Sequence, residues 1–281
     1  MAKTRSKLWL LPVMLAAAGL CYLDNWRVQT VPVTLLCPGL PEAFSGLRSV
    51  QISDLQGRTF GRDHKSLLGA VRDAQPDLIA ITGDLADEDT SLPTLRPLLE
   101  GLVRLAPVFY VTGNHEWVIS GAVRRTLYGL LDLCGVIRLE NDYRILTRGG
   151  QSIVLAGVDD PNGPADQKTA PELVREIRAA HGEDTFILAL CHRNDQLPLW
   201  AGLGVPVVLA GHAHGGILRL PGLGGVFGTH FEFFPGDEAG LYREGSTQLY
   251  VSRGLGLSRR LPIRVCNPPE LPVLTLLREE I

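Results

Sequence analysis

Short runs of apolar residues alternate along this chain with amphipathic stretches of helical spacing. Five of the runs have the length and β-branched content of buried strands; they are RSVQISD (48–54), DLIAITGD (77–84), PVFYVTGNHE (107–116), DTFILALCH (184–192) and VPVVLAGHAH (205–214). Leu67, Leu68 and Val71 have the spacing of a helix face that packs on a sheet. This alternation of strands and helices predicts an α/β fold.

Each of the five strands is followed by Asp, Asn or His just past its carboxyl end. The residues concerned are Asp54, Asp84, Asn114, His192, His212 and His214. Taken singly, each has an ordinary structural explanation, since Asp and Asn often cap helices or turns and a lone histidine is usually a hydrogen-bonded core residue. Independent caps have no reason to form one ordered series, and open α/β sheets assemble their sites at the carboxyl ends of strands. The series therefore indicates a functional site.

Two of these residues, His212 and His214, lie one residue apart between glycines in LAGHAHGG. On extended backbone such side chains point to the same side, and flanking glycines allow close approach to a bound group. Carboxylates, an amide oxygen and neutral imidazoles suit Mn, Fe, Zn, Ni or Co, whereas an all-oxygen set would suit Mg or Ca. Two such ions about 3.5–4 Å apart, bridged by a carboxylate, would stabilise a transferring phosphoryl group.

The ordered blocks SDLQG, GDLAD, GNHE, CH and GHAHGG resemble the motifs of the calcineurin-like metallophosphoesterases. The resemblance runs from Val50 to about Leu277. Its C-terminal part is similar to a branch of membrane-anchored or exported bacterial phosphodiesterases, whose relatives include UDP-2,3-diacylglucosamine pyrophosphatases. The resemblance implies a four-layer α/β/β/α sandwich of two mixed sheets. It also implies a phosphodiesterase or pyrophosphatase, possible substrates being lipid-linked nucleotides such as UDP-2,3-diacylglucosamine, with a monoesterase as the near alternative.

The resemblance also implies a role for each residue of the series. A first ion would be held by Asp54, Asp84 and His214, and a second by Asp84, Asn114, His192 and His212. Asp84 would bridge the two ions, and a hydroxide between them would attack phosphorus. His115 would be catalytic, stabilising the transition-state charge or protonating the leaving alkoxide. Glu116 would either orient an imidazole or interact only with a helix dipole.

One position departs from the family's motif, because Gln56 stands where the family has the histidine of D-x-H. An amide oxygen is a weaker donor than imidazole, so the first ion should be held less tightly or differ in identity. Three interpretations are open: Gln56 is a substitute metal ligand, it is a non-ligating residue beside a labile site, or the site is degenerate. In the last case the chain would be a one-metal, non-catalytic binding module. His64 could fill the gap only in principle, because it opens a helical pattern.

Composition narrows the class of partner. The 281 residues carry 27 Lys and Arg against 30 Asp and Glu, with no basic block beyond the extreme N-terminus. The acidic balance disfavours nucleic acid as a partner and a nuclease function. Five scattered cysteines without a CxxC argue against a disulfide framework and against Cys-ligated zinc. A phosphoester, free or lipid-linked, is the expected substrate.

The N-terminal residues 1–29 are predicted to be separate from a metallophosphoesterase domain over residues 30–281. Lys3, Arg5 and Lys7 precede an uncharged apolar run from Leu8 to Leu23. As a helix this run would reach about 24 Å, against roughly 30 Å of hydrocarbon, so it would be a short membrane anchor. A cleaved signal peptide and a helix buried in the domain are the alternatives. With an anchor or a signal, the domain would lie outside the cytoplasm, at the cell membrane or exported.

The glycine-rich segment after His214 predicts hairpin turns between strands. Its apolar residues offer another interpretation, a rim beside the metals that could receive a lipid tail; this rim would include Ile217, Leu218, Leu220, Leu223, Val226, Phe227, Phe231, Phe233 and Phe234. Arg253 follows the next strand and would either bind a phosphate oxygen or form a surface salt bridge.

Overall fold

The computed structural model describes residues 10–216, 218–220, 222–228, 232–257 and 262–280. The helices are α1 Leu10–Trp26, α2 Lys65–Ala74, α3 Arg96–Val103, α4 Asn114–Val118, α5 Gly121–Cys134, α6 Ala170–His181 and α7 Leu197–Gly202. The strands are β1 Gln29–Cys37, β2 Leu47–Ile52, β3 Leu78–Thr82, β4 Val108–Val111, β5 Ile137–Arg138, β6 Asp142–Arg148, β7 Gln151–Gly157, β8 Ile187–Leu190, β9 Val207–Ala210, β10 Leu218–Leu220, β11 Gly224–Phe227, β12 Gly240–Glu244, β13 Thr247–Val251 and β14 Glu270–Arg278.

The strands form two six-stranded mixed sheets and a separate hairpin. The first sheet has the order β1-β14-β2-β3-β4-β5, with only β14 and β2 antiparallel. The second sheet has the order β12-β13-β9-β8-β7-β6, with antiparallel pairs at its two edges. Strands β10 and β11 pair antiparallel with each other in the hairpin. The predicted α/β class is confirmed, and the five predicted strands are β2, β3, β4, β8 and β9.

The central strands are apolar throughout because both of their faces are buried. In β3, Leu78 and Ala80 belong to a hydrophobic cluster shared with the second sheet, whereas Ile79 and Ile81 pack in a cluster with α2, α3 and α5. A third cluster joins the other face of the second sheet to α6 and α7, with the fully buried Trp200 in its centre. A strand buried on both faces shows a continuous hydrophobic run rather than alternation, and this is the pattern seen in the sequence.

The N-terminal helix α1 ends beside the domain. The side chain of Asn25 accepts a hydrogen bond from the backbone N–H of Arg264 and donates one to its carbonyl oxygen, each at 3.0 Å. The chain then enters β1 at Gln29, which pairs in parallel with β14. Among the residues that the structure describes, no helix is long and apolar enough to cross a membrane.

Parallel strands bring their carboxyl ends to one edge of a sheet. Strands β2, β3 and β4 are parallel neighbours in the first sheet, and β8 and β9 are parallel neighbours in the second. The two sheets share one hydrophobic cluster, and side chains that follow all five strands lie close together. The fold thus gathers residues that are far apart in the sequence.

Candidate metal centre

Three side chains from both sheets converge on Nε2 of His192. This atom lies 3.1 Å from Oδ1 of Asn114, 3.2 Å from Nδ1 of His212 and 3.3 Å from Oδ2 of Asp84. Donor atoms that share one ion at bond lengths of about 2.1 Å are separated by about 3.0–3.4 Å. The spacing therefore fits a single divalent ion among the four side chains.

A second group of possible ligands shares Asp84 with the first. Asp54, Asp84 and His214 each offer a ligand atom, and these atoms lie within 4.8 Å of one another, as do those of Asp84, His192 and His212. All three residues of the second group are buried. A carboxylate common to two groups is the arrangement that a bridged pair of ions requires.

The backbone at these strand ends is unusual. Five of the predicted ligand residues have positive φ angles; they are Asp54 (51°), Gln56 (49°), Asp84 (52°), His212 (72°) and His214 (50°). This left-handed region costs a residue with a side chain about 1 kcal/mol or more, and it persists where the surrounding structure holds it. The prediction that His212 and His214 project from extended backbone is therefore wrong: tight turns, not strand alternation, direct them toward the centre.

The orientation of His192 is fixed by the first sheet. Its Nδ1–H donates to the carbonyl oxygen of Thr82 at 2.8 Å, which leaves Nε2 as the atom that faces the other ligands. Such a bond from the second ring nitrogen is the usual way in which proteins orient a metal-binding histidine. For His214, by contrast, Nδ1 has no hydrogen-bond partner among the described residues.

Gly113 allows β4 to approach Asp84 closely. A Cβ atom at this glycine would overlap the carboxylate of Asp84. The next residues begin α4, and the backbone N–H of His115 donates to Oδ1 of Asp84 at 2.8 Å. One oxygen of Asp84 is thus held by a helix N-terminus while the other faces His192. His115 and His192 lower the pKa of Asp84 against the opposing effect of burial, so the carboxylate is ionised.

Glu116 lies in the first turn of α4 and caps its N-terminus through Gly113, as one of the two predictions has it, but it does not interact with the helix end alone. Its carboxylate is fully buried and accepts hydrogen bonds from the backbone N–H groups of Asp84 at 2.9 Å, Ala86 at 3.1 Å and Gly113 at 2.7 Å. Burial and the charge of Asp84 raise the pKa of Glu116 to about 7, although two of these backbone donors oppose the rise. Glu116 holds the turn that carries Asp84 against the turn that carries Asn114.

Gln56 lies in the position where the family's motif has histidine. Its Nε2 is 3.2 Å from Nε2 of His214, and its Oε1 is buried without a partner among the described residues. A buried, unpartnered amide oxygen beside an imidazole fits a metal ligand, because rotating the amide would point the oxygen at the second group, which contains His214. His64 is elsewhere, buried with its Nε2 3.2 Å from the carbonyl oxygen of Thr94.

His115 lies at the mouth of the centre rather than inside it. Its Nε2 is 3.7 Å from Oδ2 of Asp84, and 23% of the side chain is exposed. A ring in this position can reach an atom of a bound substrate and still exchange protons with solvent.

An arginine adjoining the centre was missed by sequence reasoning. Arg193 follows His192 directly, and its guanidinium pairs with the buried Asp160 through Nε at 2.6 Å and Nη2 at 3.1 Å. Its remaining nitrogen, Nη1, is 3.1 Å from Nε2 of His212. The signal that could have revealed it is a basic residue immediately beside a predicted ligand.

Burial, His192 and Arg193 together lower the pKa of His212 to about 2, which keeps its ring neutral.

Arg253 forms an ion pair with Glu270. Its Nε is 3.3 Å from Oε2 of Glu270, and its Nη2 donates to Oε1 of Gln29 at 3.0 Å. Only 13% of the side chain is exposed, so the pair is buried rather than a surface salt bridge.

The segment after His214 forms the predicted hairpin, with strands β10 and β11. Of the predicted apolar rim in this segment, Ile217 and Phe231 lie outside the described residues.

The donor set fits divalent transition-metal ions. It combines carboxylates, an amide oxygen and imidazoles without a thiolate, and its members lie at coordination spacing. In the described part of the chain, the free cysteines Cys37, Cys134, Cys191 and Cys266 are not among these groups. The site can therefore hold divalent metal ions.

Comparison with known proteins gives the class of this centre. The sequence model of the calcineurin-like phosphoesterase domain matches residues 47–216, and the chain belongs to this family. It is accordingly a metallophosphoesterase, an enzyme that hydrolyses phosphoesters. The matched range contains every predicted ligand, from Asp54 to His214.

Three relatives illustrate the family. The Bacillus subtilis metallophosphoesterase YkuE is 29% identical over 268 residues, which cover 91% of this chain and 87% of that protein. A Danio rerio transmembrane protein with a metallophosphoesterase domain is 28% identical over 270 residues, 88% of this chain and 57% of that protein. The Escherichia coli phosphodiesterase YaeI is 27% identical over 214 residues, 72% of this chain and 71% of that protein.

Proposed function

We propose that this enzyme hydrolyses a phosphodiester or pyrophosphate bond at a two-ion centre. The observation that carries the proposal is Asp84, whose carboxylate belongs to both groups of possible metal ligands. The first ion would be held by Asp54, Asp84, His214 and Gln56, and the second by Asp84, Asn114, His192 and His212. The relative YaeI is named a phosphodiesterase, and its similarity to this chain favours a diester over a monoester. Bound ions would supply an activated water and neutralise charge on the phosphoryl oxygens.

The chain's own residues hold the reacting groups in position. Asp84 is fixed through His115 N–H and through the hydrogen bond that its own N–H donates to Glu116, so its position is set before substrate arrives. The His115 ring, at the mouth, would protonate the leaving oxygen or stabilise its charge. Preorganised groups of this kind lower a barrier because they need not rearrange as charge develops.

Hydrolysis assays with two simple substrates test this proposal. The full chain, purified in mild detergent and stripped of metal, is given Mn, Zn, Co, Ni or Mg singly and assayed with bis-p-nitrophenyl phosphate and p-nitrophenyl phosphate. We expect one or more transition metals to restore cleavage, with the diester preferred. Bound metal at one ion per chain without turnover of either substrate would instead favour the degenerate binding module.

A lipid-linked substrate is a further part of the proposal. The hairpin β10–β11 contacts the ligand loop, because a Cβ on Gly216 would lie 3.1 Å from Cα of Gly225. Phe233 pairs with Phe227 of this hairpin, and its side chain is 73% exposed; Phe234 is 64% exposed. Exposed apolar side chains beside a centre can receive an acyl chain. UDP-2,3-diacylglucosamine is a suitable test substrate.

The matching experiment compares one variant on two substrates. Changing Phe233 and Phe234 to Ser should raise KM for the lipid-linked diphosphate while KM for bis-p-nitrophenyl phosphate stays the same. Equal effects on both substrates, or none on the lipid-linked one, would contradict a lipid-binding rim.

Attachment to the membrane through α1 is also proposed, with the domain outside the cytoplasm. In its support, Leu11, Met14 and Leu15 of α1 are 61%, 66% and 64% exposed, and basic residues precede the helix in the sequence. The Danio rerio relative is named a transmembrane protein. Flotation of the full chain with vesicles tests the proposal; recovery of the uncleaved protein in the dense fraction would contradict it.

The layer order α/β/β/α is proposed for the domain as well. Its support is the position of the three hydrophobic clusters, one shared by the sheets and one between each sheet and its own helices.

A further inference from the structure

Arg193 is held rigidly at the edge of the metal centre. Its Nε and Nη2 donate to the two carboxylate oxygens of Asp160, which is 1% exposed. Asp160 is itself fixed, because its Oδ1 accepts the N–H of Asn162 at 2.9 Å and its own N–H donates to the Thr112 hydroxyl at 3.2 Å. A planar guanidinium paired through two nitrogens of one edge has a set orientation. Its third nitrogen, Nη1, therefore stays near the ligands.

The tautomer of His212 decides what Nη1 can bind. Nδ1 of His212 faces His192, in the cluster of donor atoms, so Nδ1 is the atom that would coordinate an ion. A neutral imidazole that coordinates through Nδ1 carries its proton on Nε2. Nη1 of Arg193 lies 3.1 Å from that Nε2 and can only donate. With metal bound, two donors would face each other, so Nη1 needs another acceptor.

We propose that this acceptor is a phosphoryl oxygen of the substrate, which makes Arg193 a substrate-binding residue of the centre; the inference rests on the proposed phosphoesterase function. Arg193 is 22% exposed, so a ligand can reach it from solvent. Its Nη1 lies 3.1 Å from the ring of His212, a predicted ligand, so the guanidinium adjoins the ion that it would assist. Hydrogen bonds from Arg to a phosphate are charge-assisted and directional. Asp160 is then a positioning residue, which acts through Arg193.

The proposal is tested by phosphate binding and metal content together. Wild type, Arg193→Ala, Arg193→Lys and Asp160→Asn are loaded with the same metal at saturation. Metal per chain is measured by elemental analysis, and inorganic phosphate binding by calorimetry. Steady-state kcat and KM are then measured with bis-p-nitrophenyl phosphate. Arg96→Ala is the control, because Arg96 forms an exposed pair with Glu100 on α3, outside the ligand groups.

We expect Arg193→Ala to keep the wild-type metal content and to bind phosphate about tenfold more weakly or worse, as loss of a charge-assisted hydrogen bond predicts. Arg193→Lys should bind at an intermediate level because it keeps charge without the fork, and Asp160→Asn should weaken binding less than Arg193→Ala. The control should match wild type.

Unchanged phosphate affinity in Arg193→Ala at full metal content would overturn the proposal. The proposal would also be overturned if Arg193→Ala lost only metal affinity, because Arg193 would then act only on His212. The proposed phosphoesterase function and the proposed role of Arg193 can fail separately. A wild type that hydrolyses no phosphoester removes the proposed function, yet Arg193-dependent phosphate binding would still be measurable in it.

Discussion

Oδ2 of Asp84 lies 3.3 Å from Nε2 of His192, and the two residues follow strands of different sheets. Asp84 comes after β3 of the first sheet, and His192 after β8 of the second. A metal ion bound by both would link the sheets at the edge of their shared hydrophobic cluster. Metal binding and folding stability should therefore be coupled.

Metal removal should lower thermal stability. A ligand at 100 times its Kd adds about 2.7 kcal/mol to the free energy of unfolding, which corresponds to roughly 5–10 °C in Tm for a domain of this size. Differential scanning fluorimetry before and after chelation measures the change. Asp84→Asn should show almost no effect of chelation, and an unchanged wild-type Tm after verified metal loss would contradict the coupling.

Replacing Glu116 by Ala should destabilise the metal-free protein. Three backbone N–H groups would lose their buried acceptor, and leaving buried donors unpaired costs about 1–3 kcal/mol each before relaxation. We expect a loss of about 3 kcal/mol in urea unfolding. Glu100→Ala on α3 removes an exposed carboxylate and should change stability little. Equal stability of the two variants would show that Glu116 does not hold the turns.

Changing Gln56 should affect one ion and leave the other alone. Gln56→His should tighten the weaker site by about tenfold or more because imidazole is the better donor, and Gln56→Leu should weaken it. Calorimetric titration with Mn resolves the two events, and the second ion serves as the internal control. Identical titrations of wild type and Gln56→Leu would mean that the amide is not a ligand.

His115→Ala should reduce kcat and keep the metal. A positioned proton donor contributes about 10²–10⁴-fold to rate, and the backbone N–H of His115 still holds Asp84 in the variant. Steady-state kinetics and elemental analysis test this together. His181→Ala, an exposed histidine of α6 whose ring lies against Tyr143, is the control. Loss of metal from His115→Ala would assign the ring to coordination instead.

Gly113→Ala should impair both folding and metal binding, because the added methyl group would overlap the Asp84 carboxylate. The matched control is Gly129→Ala within α5, where a Cβ would meet nothing within 4 Å. Alanine is favoured over glycine inside a helix by about 0.5–1 kcal/mol. The two substitutions should therefore shift Tm in opposite directions. A Gly113→Ala protein with normal Tm and metal content would show that Asp84 can move.

The positions of Asp54, Asp84, Asn114 and His192 could be predicted because each follows an apolar run that must be a strand, and parallel strands share one edge. The conformation of His212 and His214 could not, since left-handed turns leave no mark in a pattern of apolar and polar residues. The same holds for contacts made between distant loops. Glu116 binds N–H groups of the Asp84 turn, and Asp160 meets Arg193 only after the second sheet has assembled.

Titrating metal into stripped protein while following turnover tests the central claim most directly. The full chain is given a restoring transition metal in steps, and bis-p-nitrophenyl phosphate hydrolysis is measured against bound metal per chain. A two-ion centre bridged by Asp84 predicts that activity rises to its maximum at two ions per chain and that Asp84→Asn stays inactive throughout. Full activity in the stripped protein, or a maximum at one ion that persists in Asp84→Asn, would contradict it.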